Sequence, residues 1–281
     1  MIGGNLRLDQ LRRRPHWSYS SLNLFLNVCQ LQWTFRYVWK VRPAFTPAAV
    51  AFGAAFHRAC AWAFARPGAG IAEAADQFTA FLAAGCRSAD PEVRFDGDGP
   101  LDVLEALGRR MLEAYLASRD PAERVLATGI PFTVPLGGPA DGCMPLVGEF
   151  DMVVECGGRR EIVDIKTSAR RWPEPRVRLD LQPTCYLLAA AGSPEERIEG
   201  FRFDVVTKTK VPAVERYPAV RDPDRFRRLV GCAKVAEEVI RRGLFLPADQ
   251  GHACPDCPYG MACQGWHRQE VPGDMTLELA A

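Results

Sequence analysis

Two short runs of strand character, Leu146 to Cys156 and Arg160 to Thr167, flank Gly157-Gly158, a strong signal for a two-residue hairpin turn. Pairing Cys156 with Arg159 puts Asp151 directly opposite Asp164 on one face, with the side chains about 5 Å apart. Opposed carboxylates repel, and holding them together on a half-buried sheet calls for a proton or a cation between them. Oxygen ligands with positions left open for water suit Mg²⁺ or Mn²⁺ better than Zn²⁺. The strand period of two brings Lys166 to the same face as Asp164, where an ammonium can orient or activate a water and offset phosphate charge. Together these are the parts of metal-assisted phosphodiester hydrolysis. Val163 and Ile165 point to the opposite face with Phe150 and Met152, which supplies the apolar packing. Glu149 falls opposite Lys166, as its salt-bridge partner in the first place and as an auxiliary acid in the second. A surface strand with alternating charges is the plain alternative for a bare D-x-K; the register favours the site.

A second cluster lies near the C-terminus. Cys254-x2-Cys257-x5-Cys263, with Pro255, Pro258 and Gly260 between, forms a tight loop able to bring three thiolates to one centre, and a closed site needs a fourth ligand. The other seven of the ten cysteines are scattered. His252 and His267 flank the cluster as bystanders.

The elements that must position these groups follow from periodicity. Apolar residues recur at helical spacing from Ser18 to about Trp39, with a break near Cys29, and again over Ala48–Arg66, Ile71–Cys86 and Leu101–Ser118. Arg87 to Pro100 reads as a surface loop. After Pro121 the chain turns to strands: Pro131–Leu136, then the hairpin. A helix over Leu181–Ala191, a strand over Phe201–Thr209, its pairing partner over Val211–Ala219 and a helix over Pro223–Arg242 follow. This order predicts an α/β domain with a mixed sheet. With 281 residues, 48% hydrophobic and 25% charged, the chain is of ordinary globular composition. A net charge of +1 announces no global basic field. The N-terminus MIGGNLRLDQLRRRPHW has no signal-peptide core and the most apolar stretch is interrupted by His57 and Arg58, so a cytoplasmic location, no membrane segment and no structural disulfides are expected.

Gly148-Glu149-Phe150-Asp151 followed by Asp164-Ile165-Lys166-Thr167 resembles the G-x-x-D and D-x-K-T signatures of the RecB-like branch of PD-(D/E)XK nucleases. Other matches stand in the expected order. Ser18–Cys29 resembles the opening helix of that branch, Gly53-x-x-x-His57 its helical G-x-x-x-H, and Gln182-x-x-x-Tyr186 its Q-x-x-x-Y helix. Taken singly, His57 reads as a core or groove histidine, and Gln182 with Tyr186 as helix surface. Thr207-Lys208-Thr209-Lys210 resembles the branch's basic strand, with Lys208 and Lys210 either facing a phosphate backbone or simply solvated.

The resemblance implies a restriction-endonuclease-like core, a mixed central sheet flanked by helices, with N-terminal helices and a C-terminal cysteine-cluster region. It makes residues 1–281 a single nuclease domain, with a mainly helical part over 1–120, the core over 121–245 and the cysteine segment over 246–281. His57, Asp151, Asp164 and the Ile165 carbonyl would hold the metal, Lys166 would position the attacking water, and Gln182 and Tyr186 would support the substrate or the lysine. Iron-sulfur members of the AddB and CRISPR-associated exonuclease type imply a [4Fe-4S] cluster at Cys29, Cys254, Cys257 and Cys263, with Zn²⁺ on the same ligands as the rival. Such a cross-link would be worth roughly 5 kcal/mol at most by the chain-entropy argument. Cys60, Cys86, Cys143, Cys156, Cys185 and Cys232 remain as small buried hydrophobes.

The activity implied is a metal-dependent DNA exonuclease acting on single strands or ends, in repair, recombination or foreign-DNA processing. A nuclease on RNA, or a non-catalytic DNA-binding scaffold subunit, are the alternatives. Arg109-Arg110, Arg159-Arg160, Arg170-Arg171, Arg227-Arg228 and Arg241-Arg242 are candidate backbone contacts. No P-loop motif occurs in the sequence, so a helicase or another repair or CRISPR partner would supply any ATP-driven motor.

Overall fold

The hairpin turn forms with both glycines at positive φ, 58° at Gly157 and 81° at Gly158, a pair that matches the twist of the strands it joins. Those strands are β4 (Leu146–Cys156) and β5 (Arg159–Ser168), antiparallel and in the predicted register from Cys156–Arg159 to Met152–Val163. In the computed structural model, which describes residues 2, 7–95, 97, 99–138, 143–248, 251 and 253–268, the hairpin is the centre of a five-stranded sheet. β3 (Arg124–Val134) flanks β4, while β6 (Ile198–Thr207) and β7 (Val214–Pro218) continue beyond β5. β5 and β6 run parallel and the other pairs antiparallel, so the sheet is mixed.

Helices cover both faces. One face carries Trp17, Leu22, Phe25 and Trp33 together with residues of α8 (Gln182–Ala191) and α9 (Pro223–Arg241). The other carries α4 (Ala48–Phe64), α5 (Ile71–Ser88) and α6 (Leu101–Ala117), whose Phe52, Phe56, Phe78 and Tyr115 close over Ile165 and Val206. The predicted helix from Ser18 to Trp39 divides in three. Ser18 and Ser21 form a reciprocal cap on α2 (Tyr19–Asn23), Leu24–Val28 widens into a π-helical turn, and Cys29 stands extended at φ −164° before α3 (Gln30–Tyr37). Single π turns of this kind commonly mark functional positions in helices.

Several boundaries and orientations differ from the sequence reading. β3 begins at Arg124 rather than Pro131 because it is an edge strand, where a proline costs no ladder bond. β6 ends at Thr207, so Lys208 and Lys210 lie in a turn and do not alternate along a strand. The expected loop from Arg87 to Pro100 contains β2 (Val93–Arg94), paired in parallel with β1 (Thr46–Pro47). Phe150 packs on Phe132 and Tyr186, not with Met152 and Val163, so the period-two alternation breaks at Asp151. Cys156 is exposed beside the hairpin turn instead of buried, whereas Cys60 and Cys185 are buried as expected. Among the described residues, no helix is long and apolar enough to cross a membrane. None of the ten cysteines is in a disulfide.

Candidate functional site

Beyond the Met152–Val163 pair the hairpin ladder opens, and a side chain takes over from the backbone. Asp151 Oδ2 accepts the Ile165 amide at 2.9 Å, while Asp151 Oδ1 lies 3.1 Å from His57 Nδ1 on α4. Asp164, only 1% exposed in the middle of β5, accepts from Gln182 Nε2 through Oδ1 and has Lys166 Nζ 2.8 Å from Oδ2. Two carboxylates from neighbouring strands, an imidazole from one helical layer and an ammonium from β5 therefore meet at the fork.

α8 braces this arrangement from the opposite face. Gln182 and Tyr186 lie one turn apart; the first holds Asp164 and the second donates its hydroxyl to the Glu149 carbonyl at 3.0 Å. The Tyr186 ring packs edge-on or tilted against Phe132, Phe150 and Phe201. Gly148 makes this packing possible, since a Cβ there would fall 2.5 Å from the Phe132 ring. The glycine of the G-x-x-D segment thus serves the core, and through Tyr186 the backbone next to Asp151.

Electrostatics separate the two acids. Burial raises the Asp164 carboxyl to about 7, with the Asp151 charge adding to the rise and Lys166 opposing it. Burial pushes Asp151 the same way, but His57, Lys166 and the Ile165 amide outweigh it and hold this carboxyl below its usual range. Burial would lower the His57 pKa, and the Asp151 carboxylate reverses that into a net rise. Lys166 is likewise kept charged against burial by Asp164 and Asp151.

The donor set fits a hard divalent cation: two carboxylates and one imidazole, with the Ile165 carbonyl on the same segment. Asp164 Oδ2 is buried with the Lys166 ammonium 2.8 Å away, and Gln182 Oε1 is buried without a hydrogen-bond partner. Among the described residues, however, no three His, Cys, Asp or Glu side chains stand gathered as a ready metal cage. His57 pairs with Asp151 and Lys166 with Asp164, so the donors satisfy one another.

Some expected contacts are replaced. Lys166 takes Asp164 as its partner rather than Glu149, and Gln182 bonds to Asp164 rather than the lysine. Glu149 instead has its carboxyl raised by burial and by the Asp151 charge. Lys208 lies with Nζ 4.4 Å from the Phe52 ring centroid. Of the basic pairs, Arg109, Arg159, Arg160, Arg171, Arg227, Arg241 and Arg242 each form an ion pair with a nearby carboxylate.

Two residues absent from the sequence reading also hold the site. Asp180 Oδ1 accepts the Gln182 amide at 2.8 Å, an Asx-type cap that the D-x-Q spacing could have signalled. Arg221 donates to the carbonyls of Val177 and Asp180, at 3.0 and 2.8 Å, and to Thr184 Oγ1 at 3.0 Å, pinning the turn that enters α8. Only tertiary structure reveals that arginine.

Cys29, Cys254, Cys257 and Cys263 line one cavity of about 440 Å³ between the start of α3 and α10 (Gly260–His267). Cys29 Sγ accepts the amides of Gln32 and Ala248, both at 3.4 Å, and Cys254 Sγ donates to the Ala248 carbonyl at 3.2 Å. Burial raises the Cys257 thiol, and the Cys29 and Cys254 sulfurs raise it further. Leu31, Phe35 and Tyr259 back the cavity. The cysteines share a space but, as at the fork, are not drawn in to ligand distance. His267 lies edge-on to Trp266 at 5.1 Å, and His252 lies outside the described residues.

A family profile described as "PD-(D/E)XK nuclease superfamily" matches residues 16–264. No curated protein matches the chain. Among solved structures, a presumed exonuclease from Eubacterium rectale is similar to this chain over 90% of its length and 94% of its own, with a TM-score of 0.55 and 13% identity. The likeness is one of fold, a mixed α/β restriction-endonuclease-like architecture with N-terminal helices. The structure of SSO0001 overlaps 78% of this chain and 85% of its own at 13% identity, but its TM-score of 0.34 is too low to bear on the fold.

Proposed function

The chain belongs to the PD-(D/E)XK nuclease superfamily, and from that premise we propose that it is a Mg²⁺- or Mn²⁺-dependent DNA phosphodiesterase, an exonuclease on single strands or ends. The observation that carries the reading is the fork in the hairpin, where Asp151, Asp164, Lys166 and His57 converge and the buried Asp164 carboxylate faces the Lys166 ammonium. His57, Asp151, Asp164 and the Ile165 carbonyl would hold the cation. When bound, the cation supplies Lewis acidity toward a phosphoryl oxygen and acidifies a coordinated water.

The chain's own groups account for the rest. Lys166, kept protonated by its two acidic neighbours, orients the attacking water and offsets charge on the phosphate. Gln182 fixes the rotamer of Asp164, and Tyr186 fixes the β4 backbone beside Asp151, so both act by positioning. Burial of Asp164 keeps bulk water from competing for its oxygens.

The finer reading is the RecB-like, AddB-type branch, with one nuclease domain over residues 1–281 and a [4Fe-4S] cluster held by Cys29, Cys254, Cys257 and Cys263. Zn²⁺ on the same four thiolates is the rival reading. The amides aimed at Cys29 Sγ are of the kind that tune cluster thiolates. The cluster would staple the N-terminal helix to the C-terminal segment, with no redox step in the hydrolysis. A helicase or other repair or CRISPR subunit is the fitting partner.

A cleavage assay with end-labelled single- and double-stranded DNA and RNA, in Mg²⁺, Mn²⁺ or chelator, tests the activity. Metal-dependent shortening of DNA from its ends supports the reading. Cleavage of RNA alone would move the substrate, and no cleavage of any substrate would leave a binding scaffold. Anaerobically purified protein should be brown; a colourless protein with stoichiometric zinc rejects the cluster.

A further inference from the structure

The N-terminal segment carries a run of three consecutive arginines, Arg12-Arg13-Arg14, just after α1 (Leu8–Leu11). All three are exposed, and among the described residues none of them forms an ion pair. They differ in this from the basic pairs named above, most of which are neutralised by a neighbouring carboxylate.

The run is also held in place. On one side α1 packs against β3 and β4. On the other, Trp17 is fully buried and joins the start of β4 in a parallel bridge to Leu146, its amide donating to Pro145 and its carbonyl accepting from Val147. The Trp17 indole donates to Glu237 on α9 at 2.8 Å, a second anchor. This tether fixes the run alongside the strand that carries the acidic fork. Arg12 directly follows α1, whose residues pack on the strand that carries Asp151. A site built from carboxylates repels a polyanion until a cation binds, and an adjacent cluster of bare guanidinium groups offsets that field.

We propose that Arg12-Arg13-Arg14 is a phosphate-backbone grip that holds the nucleic-acid strand next to the acidic fork. Three unpaired guanidinium groups on adjacent residues can engage successive phosphates of a single strand, contacts that position the strand without reading its bases. The inference rests on the nuclease reading, which it deepens by naming the surface along which the substrate runs.

The test compares wild-type protein with the triple variants Arg12→Ala/Arg13→Ala/Arg14→Ala and Arg12→Lys/Arg13→Lys/Arg14→Lys. Binding of a fluorescent single-stranded DNA oligonucleotide is measured by anisotropy in chelator, across a salt series. For single strands each phosphate contact contributes roughly 0.7 to the slope of log K against log salt, so the alanine variant should lower that slope by about 2. The lysine variant should restore it. In Mg²⁺ or Mn²⁺ the alanine variant should raise KM with kcat nearly unchanged, since these groups hold the strand and not the reacting phosphate. An unchanged slope and KM in a variant with wild-type thermal midpoint would overturn the grip while leaving the nuclease reading intact. Failure of the wild type itself to bind or cleave nucleic acid would instead remove the nuclease reading, and the grip with it.

Discussion

The acidic fork and the cysteine cavity each bring together side chains of a type that binds metals, yet they hold them in opposite ways. At the fork every donor is engaged: His57 with Asp151, Asp151 with the Ile165 amide, Asp164 with Gln182 and Lys166. At the cavity the sulfurs stand around open volume, with weak contacts to backbone amides and a carbonyl. The difference follows from the ligand atoms. Carboxylates and imidazole are strong hydrogen-bonding groups that cannot be left bare in a protein interior, so a fold that buries them must pair them. Thiols behave as small hydrophobes and tolerate a void. Position matters too, since the fork is set in the middle of the sheet, whereas the cavity joins segments from opposite ends of the chain.

If the fork is the reactive region and the cavity a staple, substitutions should separate activity from stability. The largest effect is expected at the fork: Asp164→Ala or Lys166→Ala should lower cleavage by about 10³-fold or more, the several kcal/mol that metal and water positioning supply. The circular dichroism spectrum should remain native. Full activity in either variant would remove the site assignment. Next comes the cavity, where Cys29→Ser or Cys257→Ser should bleach the brown colour and lower the thermal midpoint. The chain-entropy limit of roughly 5 kcal/mol bounds the loss, at about 2–4 °C per kcal/mol for a chain of this size class. Residual folded protein should cleave normally; a variant with full stability and no activity would reverse the two roles.

The third effect is on pH. In chelator, burial raises Asp164 to about 7 and the Asp151 charge raises His57. Both groups therefore bind protons more tightly in the folded state than in the unfolded one, and their contribution to stability is full at acid pH and is lost as pH rises. For Asp164 the window runs from about 4 to about 7. Thermal midpoints across that range should fall with pH in chelator and flatten in Asp164→Asn; no such flattening would mean that the fork does not hold its empty state by protonation. The smallest effect is expected at Tyr186→Phe, which keeps the aromatic packing and removes one hydrogen bond to Glu149. About 1 kcal/mol of stability should go, with cleavage reduced less than tenfold. A loss as large as that of Asp164→Ala would make Tyr186 part of the chemistry.

Much of the fork was legible in the sequence because it rests on local rules. Gly157-Gly158 set the turn and the turn set the register, which holds as far as Met152–Val163, one pair short of the expected pairing of Asp151 with Asp164. A break near Cys29 was expected too, and the chain is extended there after a π-helical turn. What escaped depends on partners distant in sequence. Lys166 chose Asp164 over Glu149 because the ladder opens before Asp151, so a regular strand no longer predicts which side chains face one another. The basic dipeptides looked free until the carboxylates of other elements, such as Asp76 and Glu199, packed beside them. Arg221 acts through carbonyls in the turn before α8, and no spacing announces it.

The bond from the Ile165 amide to the Asp151 carboxylate also gives the molecule an internal reporter. Most amides in a sheet are shielded by a neighbouring strand and exchange with solvent only when that strand opens. This one depends on a side chain, so its nuclear magnetic resonance shift and its exchange with deuterium follow the state of one carboxyl group. A titration watched at that single resonance would show whether Asp151 is protonated, ionised or drawn toward a cation, with no substrate present and no turnover to interpret.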